Sequence, residues 1–572
     1  MVTSSAALPQ RRPVEFRSRI CQVTGLRVDL AAERLITANA ATAVVFLLVG
    51  GLMALFVSMT RWPAVGLLSG HPELYYRALT AHGMNMLVYW IIFFEVAGLY
   101  FGSAVALNAR LVTPAAAWLA YGLMVAGALL GNGVVASGQA DVMWDAYVPL
   151  KAPPAFYLSY ILFALGALLA CGVFFATVVV ARAERRYEGS VPLVTFGLAT
   201  AAIIAVVTLL GGVVTFVPAF FWSLGLMPED PEVYRLTLWL LGHGTQQINL
   251  AAMVTVWYLL AYITVGATPV NEKLSRFAFL LYILTINLGS VHHLLVDPGL
   301  TRAFKFWNTS YAMYSAVLGS MIHAFSIPAA IEVAQRAKGY TRGVFEWLRR
   351  APWGEPGFSA TVLSMLIFGF IGGITGVVFG HAQISIIHHN TLDIPGHFHA
   401  TVVGGTTLAF MGLTYYLLPL IARRKVAGWR LARLQPYLYG IGVALLSLGM
   451  INAGAEYGVP RRVSSLTYQG ALVPVHFPGG AYVSLDVAGI GALLALLGGV
   501  LYVGIAVATL LGGERIPAST RPVSAAADPP AGHTGAPLRI PGTLALVSLF
   551  LVTFAAVWAG NLVVLSHVWR VQ

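Results

Sequence analysis

His397 and His399, in PGHFHATVVGGTTLAF, stand two apart. On an α-helix, at about 100° per residue, their rings leave the axis about 200° apart, so one helix can ligate a metal centre on each of two opposite sides. A lone histidine is more often satisfied by a neighbouring hydroxyl or carbonyl, but this pair has company. His82 lies in LTAHGMNMLVYW, His243 in WLLGHGTQQINLAA, and His292 and His293 in NLGSVHHLLVDPG, all within apolar stretches. An ionisable side chain in hydrocarbon is expensive enough to mark function, and neutral imidazole is a common ligand for iron and copper.

The elements that must position these rings are membrane helices. Of 572 residues, 58% are hydrophobic and only 10% charged, with a mean hydropathy of +0.78; soluble domains carry about 25% charge. Apolar windows long enough to cross about 30 Å of hydrocarbon recur about thirteen times. They fall near 36–60, 76–105, 114–137, 155–182, 192–224, 235–264, 275–297, 306–334, 359–389, 395–421, 434–456, 484–511 and 541–567. The fold expected is an all-α polytopic bundle. Residues 1–35 form a cytoplasmic tail, 36–511 a twelve-helix core, 512–540 a Pro- and Ala-rich cytoplasmic linker, and 541–572 the thirteenth helix with an outer C-terminus. The tail is too polar for a secretory signal.

The net charge of +12 does not point to nucleic acid, because the basic residues sit in short loops and make no continuous face. QRRPVEFRSR, ARAERRYEG, QRAKGYTRGVFEWLRR and ARRKVAGWRLAR fall on one side, and the acidic loops GQADVMWDAY and MPEDPEVY on the other. The basic side is therefore cytoplasmic. With this orientation, all six histidines share the outer third of the bilayer. The economical assignment is two axial ligands for a low-spin haem, one for a second haem, and three for a non-haem metal facing the second haem.

These motifs resemble the catalytic subunit of the haem-copper oxidase superfamily over nearly the whole chain, and HHLLVDPG and GVPRRVSSLTY resemble its B family. The resemblance implies that His82 and His399 ligate a low-spin, b-like haem. It makes His397 the proximal ligand of a high-spin haem of unspecified type. His243, His292 and His293 then hold a non-haem iron or copper. It further implies that Arg461 and Arg462 neutralise haem propionates, with His389 nearby. Ser385 stands where that family has an aspartate, a departure in its outer proton-exit machinery.

Four residues after His243, oxygen reductases of this family carry a tyrosine cross-linked to a histidine, which supplies an electron and a proton to dioxygen. Here that position is Gln247, an amide that cannot be oxidised in this role. Coupling two nitric oxide molecules to nitrous oxide and water needs only two electrons and two protons. Nitric oxide reductases place a glutamate ligand at this spacing, and Gln247 can replace it as a neutral oxygen ligand or a hydrogen-bond donor. The chain is thus similar to the divergent reductases called eNOR. Oxygen reduction is the alternative, with Tyr311 or Tyr314 as substitute phenols, and a haem-free proton-linked transporter is the remote one.

Protons have a candidate route. Tyr258 lies fifteen residues after His243, and Ser320, His323 and Ser326 recur every three residues on the eighth span. The resemblance matches Tyr258, Ser320 and Ser326 to an inner proton pathway, with His323 replacing a threonine. Glu95 either joins this water system or pairs with a group distant in sequence. No CxxCH or paired-cysteine copper motif is present, so electrons require an outward-facing donor subunit, copper-bearing or cytochrome c-like, or a quinol. The setting expected is a prokaryotic cytoplasmic membrane.

Overall fold

Asp29 ends a short antiparallel hairpin, Ser18–Ile20 (β1) against Arg27–Asp29 (β2), and starts the membrane bundle. Its carboxylate accepts the Ala31 amide at 3.2 Å and the Leu111 amide at 2.8 Å, satisfying a free donor at the first helix N-terminus. The computed structural model describes residues 16–21, 24–285, 292–466, 475–516 and 539–568. Within the segment expected as a tail, it holds this hairpin and the first turn of the first helix.

The membrane helices are α1 (Leu30–Arg61), α2 (Pro72–Val105), α3 (Pro114–Ala136), α4 (Pro154–Ala183), α5 (Leu193–Ser223) and α6 (Pro231–Val265). They continue with α7 (Glu272–Thr285), then α8 (Arg302–Ala337), α9 (Pro356–Phe379), α10 (Asp393–Ala422), α11 (Trp429–Ala455), α12 (Gly479–Gly512) and α13 (Pro541–Val568). Among the described residues, 12 helices are long and apolar enough to cross a membrane. The exception is α7, with 14 residues; part of the expected span 275–297, residues 286–291, lies outside the described residues.

The ninth span is shorter than expected, ending at Phe379 rather than residue 389. His381 Nδ1 sits 3.0 Å from the Val377 carbonyl and 3.2 Å from that of Val378, satisfying acceptors that a continuing helix would have used. A separate short helix, Ala382–His388, follows, so Ser385 and His389 belong to a loop region between membrane helices.

Two features position the site. Where α11 meets α12 the backbones touch: a Cβ on Gly442 would lie 2.3 Å from the Ala495 nitrogen, and one on Gly491 2.3 Å from the Leu446 nitrogen. Small residues permit this approach, and dispersion holds it in a bilayer. The second feature is a set of π-helical turns within the helices that carry histidines. One spans Asn85–Tyr89 just after His82, and another spans His399–Thr407. Each extra residue per turn re-phases the faces beyond it.

Candidate metal and cofactor centre

Asp230 accepts the Glu232 and Val233 amides at 2.8 and 3.1 Å and, with Pro231 at the first position, fixes the start of α6. Trp239, His243 and Gln247 then follow at intervals of four, one stripe of the helix. His243 meets the other two metal candidates there. Its ring centroid lies 4.3 Å from that of His292 and 5.1 Å from that of His293, and His292 and His293 are 4.2 Å apart. One nitrogen from each lies within 4.8 Å of the others. His243 Nδ1 is 3.1 Å from His293 Nε2. Two imidazoles sharing a tetrahedral ion, with bonds of about 2.0 Å, hold their nitrogens about 3.3 Å apart. The trio thus fits a single metal ion.

Gln247 hydrogen-bonds to His243, and where sequence offered an oxygen ligand or a hydrogen-bond donor, a metal on the trio would make it an acceptor. Its amide nitrogen lies 2.5 Å from His243 Nε2, the ring nitrogen opposite the one facing His293. With the amide oxygen turned to this nitrogen, Gln247 accepts the Nε2–H and leaves Nδ1 as a bare donor toward the trio. That orientation also gives a partner to Gln247 Oε1, otherwise buried without one. Trp239 was not singled out from sequence, although its i−4 spacing from His243 is a usable signal. Its ring stacks on His293 at 3.9 Å and 4°, fixing the imidazole plane.

His82 and His399 face each other across a gap, with ring centroids 6.2 Å apart and planes within 15°. Each is anchored through Nδ1 to a backbone carbonyl, His82 to Gly50 at 3.0 Å and His399 to Pro395 at 2.6 Å, leaving both Nε2 atoms as donors. Imidazoles on opposite sides of one metal, with bonds of about 2.0 Å and about 1.1 Å from nitrogen to ring centre, have centroids about 6.2 Å apart. The pair therefore fits bis-imidazole ligation of a haem.

His397 leaves the other side of α10, with Nδ1 2.9 Å from Thr375 Oγ1. A Cβ on Gly376 would stand 2.9 Å from its Cε1. Gly376→Val should therefore displace His397 while sparing His82 and His399. The expected result is loss of roughly half or more of any carbon monoxide-reactive haem, with the low-spin absorption retained, measured by difference spectra.

All six rings, with Arg461 and Arg462, line one cavity of about 760 Å³. At its polar edge Arg462 pairs with Asp145 and lies over the Tyr147 ring at 4.9 Å. Arg235 pairs with Asp297 at 2.7 Å and covers Tyr147 at 4.6 Å. Arg461 forms no ion pair among the described residues; its backbone donates to the Asn390 carbonyl at 2.8 Å, while its Nε is buried without a partner. Burial, then the Arg462 charge, push this guanidinium down to about 9. His389 is pushed down to about 4 by burial and by Arg461, Arg235 and Arg462, so it is neutral near pH 7. This cationic edge fits carboxylates such as haem propionates. Arg235, Asp145 and Tyr147 were invisible as site residues in sequence because they meet only across three elements.

The expected relay is partly assembled. Tyr258 Oη donates to Ser275 Oγ at 2.9 Å and lies 3.1 Å from His323 Nδ1. Ser320 Oγ instead meets Tyr282 Oη at 3.0 Å, and Ser326 stands against the Tyr258 hydroxyl. Glu95 pairs with Asn249: with its nitrogen turned to the carboxyl, that amide donates at 2.9 Å. Tyr311 is 63% exposed and Tyr314 46%, with the Tyr314 hydroxyl 3.4 Å from His381 Nε2; neither phenol joins the histidine trio. His388 pairs with the buried Asp393.

A helical membrane bundle with two facing imidazoles, a third imidazole on the opposite helix face and a three-histidine cluster has the architecture of a haem-copper oxidase catalytic subunit. Residues 34–478 match the family model described as "Cytochrome C and Quinol oxidase polypeptide I", and the chain belongs to this family. It is 31% identical over 491 residues to cytochrome c oxidase subunit 1 of Thermus thermophilus, covering 82% of this chain and 83% of that protein. A second relative, cytochrome c oxidase polypeptide 1 of Halobacterium salinarum, is 25% identical over 70% of this chain and 67% of its own length. Among solved structures, one chain of a heme-copper terminal oxidase dimer superposes with a TM-score of 0.81 and 25% identity, covering 93% of this chain and 92% of that one. The protein is therefore a multi-pass membrane oxidoreductase subunit, and the transporter alternative falls away.

Proposed function

We propose that this chain is the catalytic subunit of a respiratory nitric oxide reductase, coupling two NO to nitrous oxide and water in the cavity between His397 and the His243–His292–His293 trio. The observation that carries the reading is the Gln247 amide against His243 Nε2. Where an oxygen-splitting site of this family would hold an oxidisable phenol, the residue here is redox-inert.

In this reading His82 and His399 hold a low-spin haem, His397 a high-spin haem, and the trio a non-haem iron or copper. Bound there, these groups would pass on the donor's two electrons and supply the positive charge that favours N–N coupling. The chain's own residues do the rest. Gln247 fixes the His243 tautomer, Trp239 fixes the His293 plane, and Arg461 and Arg462, beside His389, hold the propionates. Electrons come from an outward-facing copper-bearing or cytochrome c-like subunit or a quinol, and the N-terminus lies in the cytoplasm of a prokaryote with the C-terminus outside.

Oxygen reduction is the second reading, favoured by the relatives' name, cytochrome c oxidase subunit 1. Turnover of each gas with one electron donor separates the two. The expected outcome is nitrous oxide formation that exceeds oxygen consumption; rapid oxygen uptake with no nitrous oxide would refute the proposal. Gln247→Tyr should lower NO turnover by about tenfold or more with both haem spectra intact, because it removes the acceptor for His243 Nε2–H.

A further inference from the structure

Tyr282 belongs to no motif in the sequence, yet the tertiary structure makes it one of the phenols that line the cavity. It lies on α7, ten residues before His292, fully buried and lining the same cavity as His243, Gln247, His292 and Ser320. A Cβ on Gly319 would be 2.9 Å from its Cε1, so the ring is held by close packing with α8. Its hydroxyl meets Ser320 Oγ at 3.0 Å.

Beneath it lies His323, whose ring centroid is 5.5 Å from that of Tyr282. The Tyr258 hydroxyl donates to Ser275 and so accepts from His323 Nδ1–H. That leaves Nε2 as the basic nitrogen of His323. It is buried and has no protein partner, an arrangement that costs roughly 1–3 kcal/mol unless water meets it.

We propose that Tyr282 delivers protons into the gas-reducing cavity and that a water held by His323 Nε2 recharges it. The inference rests on the reading of the cavity as the site of gas reduction, whichever gas is reduced. In the step, the Tyr282 O–H bond breaks and an O–H bond forms on the oxygen that the substrate sheds. A phenol is a stronger acid than water, so transfer to an oxygen that leaves as water runs in the right direction. The phenolate takes a proton from a water bridging it to His323 Nε2, and a proton entering from the inner side converts the hydroxide so left back to water. No electron leaves the phenol. The two electrons of 2 NO + 2 H⁺ + 2 e⁻ → N₂O + H₂O come from the external donor.

The test is Tyr282→Phe in the purified holoprotein, assayed by visible spectrum, turnover and proton uptake with a pH-indicator dye. The expected result is an unchanged haem spectrum and metal content, with turnover and proton uptake both down about tenfold or more. The pH profile should also steepen, the rate falling further as pH rises. Wild-type uptake and an unaltered profile in this variant would overturn the proposal. If Tyr282→Phe loses its haems, His323→Phe decides: slower uptake with an intact spectrum supports the route, and unchanged uptake refutes it. Because both NO and oxygen consume protons here, failure of the nitric oxide reading would leave this result interpretable.

Discussion

Replacing His399 with alanine should leave the purified protein with about one haem per chain instead of about two, and turnover of either gas should fall roughly a hundredfold or more. In the proposed reading His399 and His82 would hold one metal from opposite sides: their rings are 6.2 Å apart, and each is locked by a backbone carbonyl. The loss of either donor leaves a single imidazole, and a large apolar cavity cannot hold a flat macrocycle at a fixed tilt with one bond. His82→Ala should give the same spectrum as His399→Ala, because both remove one end of the same clamp. A variant of either residue that kept the low-spin absorption and its full haem content would refute this pairing. His397 lies two residues away, but on the other helix face, so carbon monoxide binding at the second haem should survive the His399 change.

His292→Ala is expected to do the reverse. Both haems should remain, while the non-haem metal falls from about one ion per chain to under about a tenth, with turnover lost roughly a hundredfold or more. The trio contains three neutral ligands and no carboxylate among the described residues, so affinity rests on ligand number and geometry, and two imidazoles do not close a site. Metal analysis against haem content measures this directly. Retention of a stoichiometric ion would remove His292 from the ligand set. The same analysis on the unaltered protein decides between iron and copper. A Trp239→Leu change, freeing the His293 plane, should instead weaken metal retention only about ten- to a hundredfold.

The two largest effects concern residues that sequence alone could name, since a histidine inside hydrocarbon is costly and conspicuous. Membrane spans are as legible, because each must satisfy its own backbone hydrogen bonds over a fixed thickness, leaving a long apolar run as its signature. The departure at Gln247 is also plain from its spacing to His243.

What only the tertiary structure decided is the detail that arises between helices. Side-chain partnership across elements leaves no periodic trace, so Asn249 as the partner of Glu95, Asp393 as that of His388 and Asp145 as that of Arg462 could not be read in advance. The π-helical turns after His82 and from His399 shift each later face by a fraction of a turn that a 3.6-residue period does not encode. The role of Gln247, bonded to the far nitrogen of His243, depends on which way an imidazole is turned. Tyr282 reaches the cavity because α7 and α8 pack closely at Gly319. The histidines thus declared themselves by the cost of burying them, whereas the groups that aim, neutralise and supply them are ordinary residues whose meaning comes from their neighbours in space.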